Sequence, residues 1–450
     1  MTKNKNNGVW EIGPEVVKTT LENYMLADGH DIIVDLRKSK GCRLVDAVTG
    51  NSYLDFFNFF ASCPIGINHP KITSKETRDK LMWSAINKPS NSDFYTVEMA
   101  EFVETFATQT MPPELSHFFF ISGGAVAVEN ALKASFDWKV RWNHERGVKE
   151  DRGYKVIHFE QCFHGRTGYT LSLTNTADPR KTKFFPTFDW PRVPNPKIHF
   201  PLEGDNLQRV IQDEEKSLGI IREVIERSPE DIAAIIIEPI QGEGGDNHFR
   251  GEFLRELKKI ADEYEIFLIF DEIQTGLGTT GKWWACEHFD MVPDIIVFGK
   301  KTQVCGIVAG SKIDEIKNNV FEESSRINST WGGNLVDMVR SKLYIDIIVE
   351  ENMLENAATV GTYFLGKLQE LAGSFKGTLT NVRGRGCFIA FDLPSDDLRQ
   401  KLLAEAMNNG LLALACGTRS VRFRPPLNFT KEEVDECVEK VFKSLGTVLA

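Results

Sequence analysis

The 450-residue chain lacks any long apolar run: the longest, such as Ile232-Ala-Ala-Ile-Ile-Ile237, are about six residues. A bilayer span needs roughly 20, so no membrane helix is expected. It also lacks a lysine/arginine block. Its 53 basic and 64 acidic residues leave a net charge of −11, which argues against a nucleic-acid footprint and leaves small acidic substrates to local arginines. The first residues, MTKNKNNGVWEIG, have no apolar signal core, which predicts no secretion. The eight cysteines, at 42, 63, 162, 286, 305, 387, 416 and 437, form no CxxC pair and are irregularly spaced. Reduced thiols in a cytoplasmic protein are the expectation, and neither structural zinc nor any other metal is. Internal repeats and low-complexity tracts are missing as well.

With 42% hydrophobic and 26% charged residues, the chain is globular and long enough for more than one core. Three zones are expected: 1–65, 66–335 and 336–450. The first has an amphipathic start, Pro14 to Asp28, then strand-like pieces at Asp31–Asp35, Cys42–Val45 and Tyr53–Phe57. The last opens on a helix pattern, Leu335 to Glu351, and closes on another, Lys431 to Leu449. The middle zone alternates helix patterns, such as Phe253–Ile260, with short runs apolar on both faces: His117–Ile121, Ile232–Ile237, Ile266–Phe270 and Ile295–Phe298. Such runs are parallel strands covered by helices, which predicts an α/β layer architecture. Ligands of open α/β sheets sit beyond the carboxyl ends of the strands.

The residues after those strands form one set. Ser122-Gly-Gly-Ala125 opens a helix pattern, and a helix N-terminus offers free N–H groups to a phosphate; a plain tight turn is the alternative. Asp271 follows five apolar residues. A buried carboxylate needs a partner, and a cationic ring nitrogen, a helix cap or a salt bridge would each serve. Lys300 follows a buried strand; desolvation lowers a lysine pKa and frees a nucleophilic amine. Lys301 competes for that role, and periodicity does not choose. Phe163 could stack on a flat ring, while Arg166 and Arg422 offer forks for carboxylates; core packing and surface pairing are the alternatives. His164 reads as a hydrogen-bonded loop residue. A phosphate cradle, an aspartate and a lysine on successive strand ends together match the needs of pyridoxal 5′-phosphate, with the lysine forming a Schiff base and the aspartate keeping the pyridine nitrogen protonated.

Leu268-Ile-Phe-Asp-Glu-Ile-Gln-Thr-Gly276, Pro293-Asp-Ile-Ile-Val-Phe-Gly-Lys300, Ile236-Ile-Glu-Pro-Ile-Gln-Gly-Glu243, Phe163-His-Gly-Arg166, Asn328-Ser-Thr-Trp-Gly-Gly-Asn334 and Arg422-Phe-Arg-Pro-Pro426 resemble the motifs of class III, fold-type I, pyridoxal-phosphate aminotransferases over nearly the whole chain. The resemblance implies a large domain with a mostly parallel central sheet and a smaller α+β domain built from both termini. It implies Lys300 rather than Lys301 as the Schiff-base residue. Gly124 and Ala125 would hold the phosphate through backbone N–H groups, Phe163 would stack on the ring, Asp271 would pair with the pyridine nitrogen, and Gln274 would bond near the ring 3′-oxygen. Thr330 would reach the phosphate of a neighbouring subunit, which implies a homodimer or larger.

Two departures stand out. The cradle reads Gly-Gly-Ala where many relatives carry a serine or threonine hydroxyl. After the lysine the chain reads Lys301-Thr-Gln-Val-Cys-Gly306, where relatives often read Ala-Leu-Gly-Gly-Gly. With Val126–Asn130 and Gly168–Asn175, that segment resembles the lysine 6-aminotransferase branch. The branch implies transfer of the terminal amine of L-lysine to 2-oxoglutarate. Arg166 would hold the distal carboxylate, and Arg422 would be neutralised by Glu243 while lysine is bound and released for 2-oxoglutarate. Ornithine 5-aminotransferase and 4-aminobutyrate aminotransferase are the alternatives; one methylene separates lysine from ornithine and discriminates by only about 1–3 kcal/mol.

Overall fold

A computed structural model describes residues 12–450. The expectation drawn from the leading residues rests mostly on 1–11 and lies outside the described residues.

The middle of the chain builds a seven-stranded sheet from β1 (Leu115–Ile121), β2 (Lys155–Phe159), β3 (Arg192–Val193), β4 (Ile232–Ile237), β5 (Phe267–Asp271), β6 (Ile295–Phe298) and β7 (Cys305–Gly310). Their order is β1-β7-β6-β5-β4-β2-β3. β7 runs antiparallel to both neighbours; the other pairings are parallel. Alternate side chains leave opposite faces of a strand, and both faces here are covered. Ile235, Ile237, Leu268, Phe270, Ile296 and Phe298 enter one core, while Ala234, Ile236, Phe267, Ile269, Ile295 and Val297 enter the other. That double burial is why the sequence shows continuous apolar runs. The α/β, mostly parallel sheet is as expected, but β7 and β3 were not anticipated. β7 is bounded by small residues, and β3 has only two residues.

Outside this sheet, Thr380–Arg385, Phe388–Asp392, Ser420–Phe423 and Leu414–Cys416 form a four-stranded antiparallel sheet. A three-stranded sheet joins Arg43–Val45 and Ser52–Asp55 to Leu411–Leu412. Helices Leu335–Glu350 and Lys431–Leu449 occupy the expected stretches. The helix expected over Pro14–Asp28 is shorter, Val17–Glu22 after a single 3-10 turn, and buries no residue; without a covered face little extends it. The strand expected at Asp31–Asp35 reduces to one bridge between Val34 and Asp46. Among the described residues no helix is long and apolar enough to cross a membrane, and the eight cysteines are unbridged.

Candidate active site

Asp271 is the last residue of β5 and lies in register with Val297 of β6. It is 4% exposed. One carboxylate oxygen lies 2.8 Å from His164 Nδ1; the other accepts from the Ile273 N–H at 3.2 Å. Burial works against an imidazolium at His164, yet the Cys162 sulfur and the Asp271 carboxylate outweigh it and raise its pKa well above the ordinary value. His164 thus sits where the loop reading put it, hydrogen-bonded, with Asp271 as its partner.

Lys300 follows β6 by two residues and opens a 3-10 turn, Lys300–Thr302. Its φ is +54°, a left-handed conformation that costs a non-glycine residue about 1–3 kcal/mol and is retained where the surroundings enforce it. Gln303 supplies part of that enforcement: its side-chain amide donates to Ser62 O at 2.8 Å and Lys300 O at 3.2 Å. Burial first, then the Arg422 charge, lowers the Lys300 pKa to about 8 against the opposing pull of Asp271 and Glu238. Lys301 is buried and donates to the Gln274 carbonyl at 2.7 Å. One lysine of the pair is committed to a backbone bond, and the other is left with a partly accessible, near-neutral amine.

The helix Gly124–Glu145 begins beside this group. A Cβ on Gly124 would stand 3.0 Å from Ile273 Cδ1, and one on Gly165 would stand 2.5 Å from Ala125 Cβ. The Phe163–Arg166 turn and the loop after Asp271 therefore both close on the first helical N–H groups, at the positive end of the helix dipole. Phe163 is half-buried. Its N–H donates to one oxygen of Glu238 at 2.8 Å, and the Gly242 N–H donates to the other at 2.9 Å. Burial raises the Glu238 pKa to about 7. Glu238 appears in the sequence reading only inside the motif Ile236–Glu243, although it carries the same signal as Asp271: a carboxylate directly after an apolar strand.

Arg422 lies on the strand Ser420–Phe423, 4% exposed. Its Nη1 donates to Gln274 Oε1 at 3.2 Å, and its buried Nε has no partner. Glu243 does not bond to Arg422 here; the expected pair belongs to the lysine-bound enzyme. Glu243 Oε1 accepts from Thr176 Oγ1 at 2.7 Å and from Lys181 Nζ at 2.6 Å, while its buried Oε2 has no partner. The physical reason is a nearer cation, brought in by the short turn Pro179–Lys181. Lys181 and Thr176 went unnoticed in the sequence because a lysine in a polar loop beside Arg180 and Lys183 carries no local signal. Arg166 is exposed and joins no ion pair among the described residues. Thr330 is exposed as well, its carbonyl accepting from Ser90 Oγ at 2.6 Å. Neither hydrogen-bonds to the Asp271–Lys300 group.

A cleft of about 840 Å³ between Lys133, Asp137 and Trp190 contains none of these residues; the chemistry lies at the strand ends instead. The strand-end set fits pyridoxal 5′-phosphate. A buried carboxylate stands for a ring cation, a helix N-terminus pressed between two loops for a phosphate, and an amine near neutrality for an aldehyde.

Residues 24–445 match the family model described as aminotransferase class-III. The chain is 47% identical to the L-lysine-epsilon aminotransferase of Mycobacterium tuberculosis, over 97% of this chain and 96% of that one. It is 45% identical to the L-lysine-epsilon aminotransferase of Amycolatopsis lactamdurans, over 97% of each. A solved lysine aminotransferase from M. tuberculosis superposes with a TM-score of 0.95 at 47% identity, covering 97% of this chain and 100% of that chain. The chain belongs to the class-III aminotransferases, enzymes that work with pyridoxal 5′-phosphate.

Proposed function

We propose that the protein transfers the ε-amino group of L-lysine to 2-oxoglutarate, giving 2-aminoadipate 6-semialdehyde and L-glutamate. The observation that carries amine transfer is the near-neutral Lys300 amine on the strand end beside buried Asp271. Lysine as the donor is supported by relatives of that name at 45–47% identity over almost the full chain.

The residues present divide the work. Lys300 would hold the cofactor aldehyde, Asp271 the ring nitrogen, Gln274 the neighbourhood of the ring 3′-oxygen, Phe163 the ring, and Gly124 and Ala125 the phosphate. When bound, pyridoxal 5′-phosphate supplies an aldehyde carbon and a ring that draws off the electron pair of the substrate carbon bearing nitrogen. Lys300 Nζ would take the proton from that carbon and deliver it to the former aldehyde carbon; with a pKa of about 8 the amine is partly neutral under ordinary conditions. His164 would hold the Asp271 carboxylate in place through the contact at 2.8 Å. Arg166 binds the distal carboxylate of both substrates. Glu243 neutralises Arg422 while lysine is bound and leaves it for 2-oxoglutarate, since an unpaired arginine beside lysine's methylenes is a costly buried charge.

We further infer a cytoplasmic homodimer in which exposed Thr330 contributes to the phosphate site of the partner subunit. The working division is a large cofactor domain over 66–335 and a small domain from 1–65 and 336–450. The test is spectroscopic. Incubated separately with L-lysine, L-ornithine and 4-aminobutyrate, the yellow holoenzyme should bleach fastest with L-lysine, and the product should be the semialdehyde. Faster bleaching with either other amine overturns the substrate assignment.

A further inference from the structure

Glu243 sits in Gln241-Gly-Glu-Gly-Gly245, a segment packed closely against its neighbours. A Cβ on Gly242 would stand 2.5 Å from the Gln274 side-chain carbon, one on Gly244 would collide with the Gln161 carbonyl, and the Gly417 N–H donates to Glu243 O at 2.7 Å. Gly242 touches Gln274, and Gln274 accepts from Arg422, so Arg422 is within one residue's reach of that loop. On the other side are Thr176 and Lys181. Two buried atoms are left without a partner, Glu243 Oε2 and Arg422 Nε. A buried charge without a partner is expensive, so a glutamate that leaves Arg422 needs somewhere to go.

We infer that Lys181 is a positioning residue, the alternative partner that holds Glu243 away from Arg422 and so prepares the site for the dicarboxylate substrate. This rests on the functional reading above. The turn is built for the task. Thr176, which donates to Glu243, also accepts from the Asp178 N–H at 3.3 Å, and Asp178 caps the turn by accepting from the Arg180 N–H at 3.1 Å. Arg180 is spent on Asp178 and points to solvent at 89% exposure; Lys183 lies against Phe184, 4.6 Å from the ring centroid. Lys181 alone of the three turns inward, 29% exposed and 5.8 Å from the centroid of Phe163. The glutamate therefore has two cationic positions. A ligand that needs Arg422 unpaired draws on the Lys181 position, and a ligand that needs Arg422 neutralised draws on the other. A ligand's apparent affinity falls by the fraction of the competent state, so removing Lys181 must move the two substrates in opposite directions.

The test is a pair of half-reactions followed by cofactor absorbance, in wild-type holoenzyme, Lys181→Met, Lys181→Arg, Glu243→Ala and the Met/Ala double variant. In Lys181→Met the apparent Kd for 2-oxoglutarate should rise about fivefold or more while that for L-lysine falls or holds, with limiting rate constants changed by less than about twofold. Lys181→Arg should restore both constants. With Glu243→Ala in place, Lys181→Met should change neither by more than about twofold, because the residue acts through the glutamate. Weakening of both substrates would mark a merely structural role, and a loss of 2-oxoglutarate affinity that persists without Glu243 would mark direct binding of substrate by Lys181. Either result overturns the proposal, as does a Lys181→Met enzyme identical to wild type. A wild-type holoenzyme that reacts with neither L-lysine nor 2-oxoglutarate sinks the functional reading instead, before any variant is compared, and the proposal falls with it.

Discussion

The two halves of the site are built to different standards. Around Asp271 both carboxylate oxygens are engaged, by His164 and by the Ile273 N–H, and Glu238 next to it holds one backbone N–H with each oxygen. Around Arg422 the bonds are fewer: one contact to Gln274 at 3.2 Å, an unpartnered Nε, and a glutamate turned to another cation with an oxygen to spare. Buried polar groups are normally satisfied; the cofactor half leaves one atom over, His164 Nε2, and the substrate half two, Glu243 Oε2 and Arg422 Nε. The cofactor half serves one ligand that stays, and pre-pairing fixes it before binding. The substrate half serves an amine donor and a dicarboxylate acceptor in turn, and a fully paired arrangement would suit only one of them.

The contrast can be broken most severely on the cofactor side. Lys300→Ala should reduce turnover by more than about 10³-fold, the upper range for a lost acid–base group, and should abolish the yellow colour that survives dialysis; a coupled glutamate assay and an absorbance spectrum check both. Asp271→Asn keeps the shape and removes the charge, and should cost about 10²–10³ in kcat, as losing one preorganised electrostatic contact does. On the substrate side the effects should be smaller and selective. Glu243→Ala should slow the L-lysine half-reaction about tenfold, or roughly 1.4 kcal/mol, and the 2-oxoglutarate half-reaction much less. Equal losses in single-turnover absorbance would mean that the glutamate does not discriminate between the substrates.

The same division decides what was legible in the sequence. Strands β4, β5 and β6 announce themselves because both faces are buried, and the carboxylate or lysine that ends such a strand stands out against the apolar run. Asp271 and Lys300 are readable for that reason, and Glu238 carried the same mark. What the sequence hides is anything made between loops. His164 was placed on a loop as a hydrogen-bonded residue, but nothing local names Asp271 as its partner 107 positions away. Gln303, inside the segment that departs from the usual glycine-rich pattern, braces Lys300 against Ser62, a contact across 241 positions. Lys181 is one polar-loop lysine among several until the turn Pro179–Lys181 folds it onto Glu243. Short β3 and glycine-bounded β7 failed for a simpler reason, having too few large side chains to register as strands. Local burial is written in local pattern; long-range pairing is not.

Lys300 lies between the two halves and reads both, which permits a finer measurement. Its pKa of about 8 is set by burial, lowered further by Arg422 and raised by Asp271. Only the neutral amine combines with an aldehyde. Uptake of pyridoxal 5′-phosphate by the cofactor-free protein should therefore quicken as pH rises towards 8 and level off above it, well short of the 10.5 of an ordinary lysine. Stability follows the same group. Between pH 8 and 10.5 the unfolded chain holds this proton and the folded chain does not, so the cofactor-free protein gains stability from Lys300 as pH rises through that window. The two flanking charges should then move the midpoint of the uptake curve in opposite senses: Arg422→Gln upward, because a neighbouring cation is gone, and Asp271→Asn downward, because an anion is gone. These are the smallest effects expected, and stopped-flow absorbance across pH 6–10 resolves them. A midpoint that ignores Arg422 but follows Asp271 would detach the loosely bonded half from the reacting amine and confine that arginine to substrate binding alone.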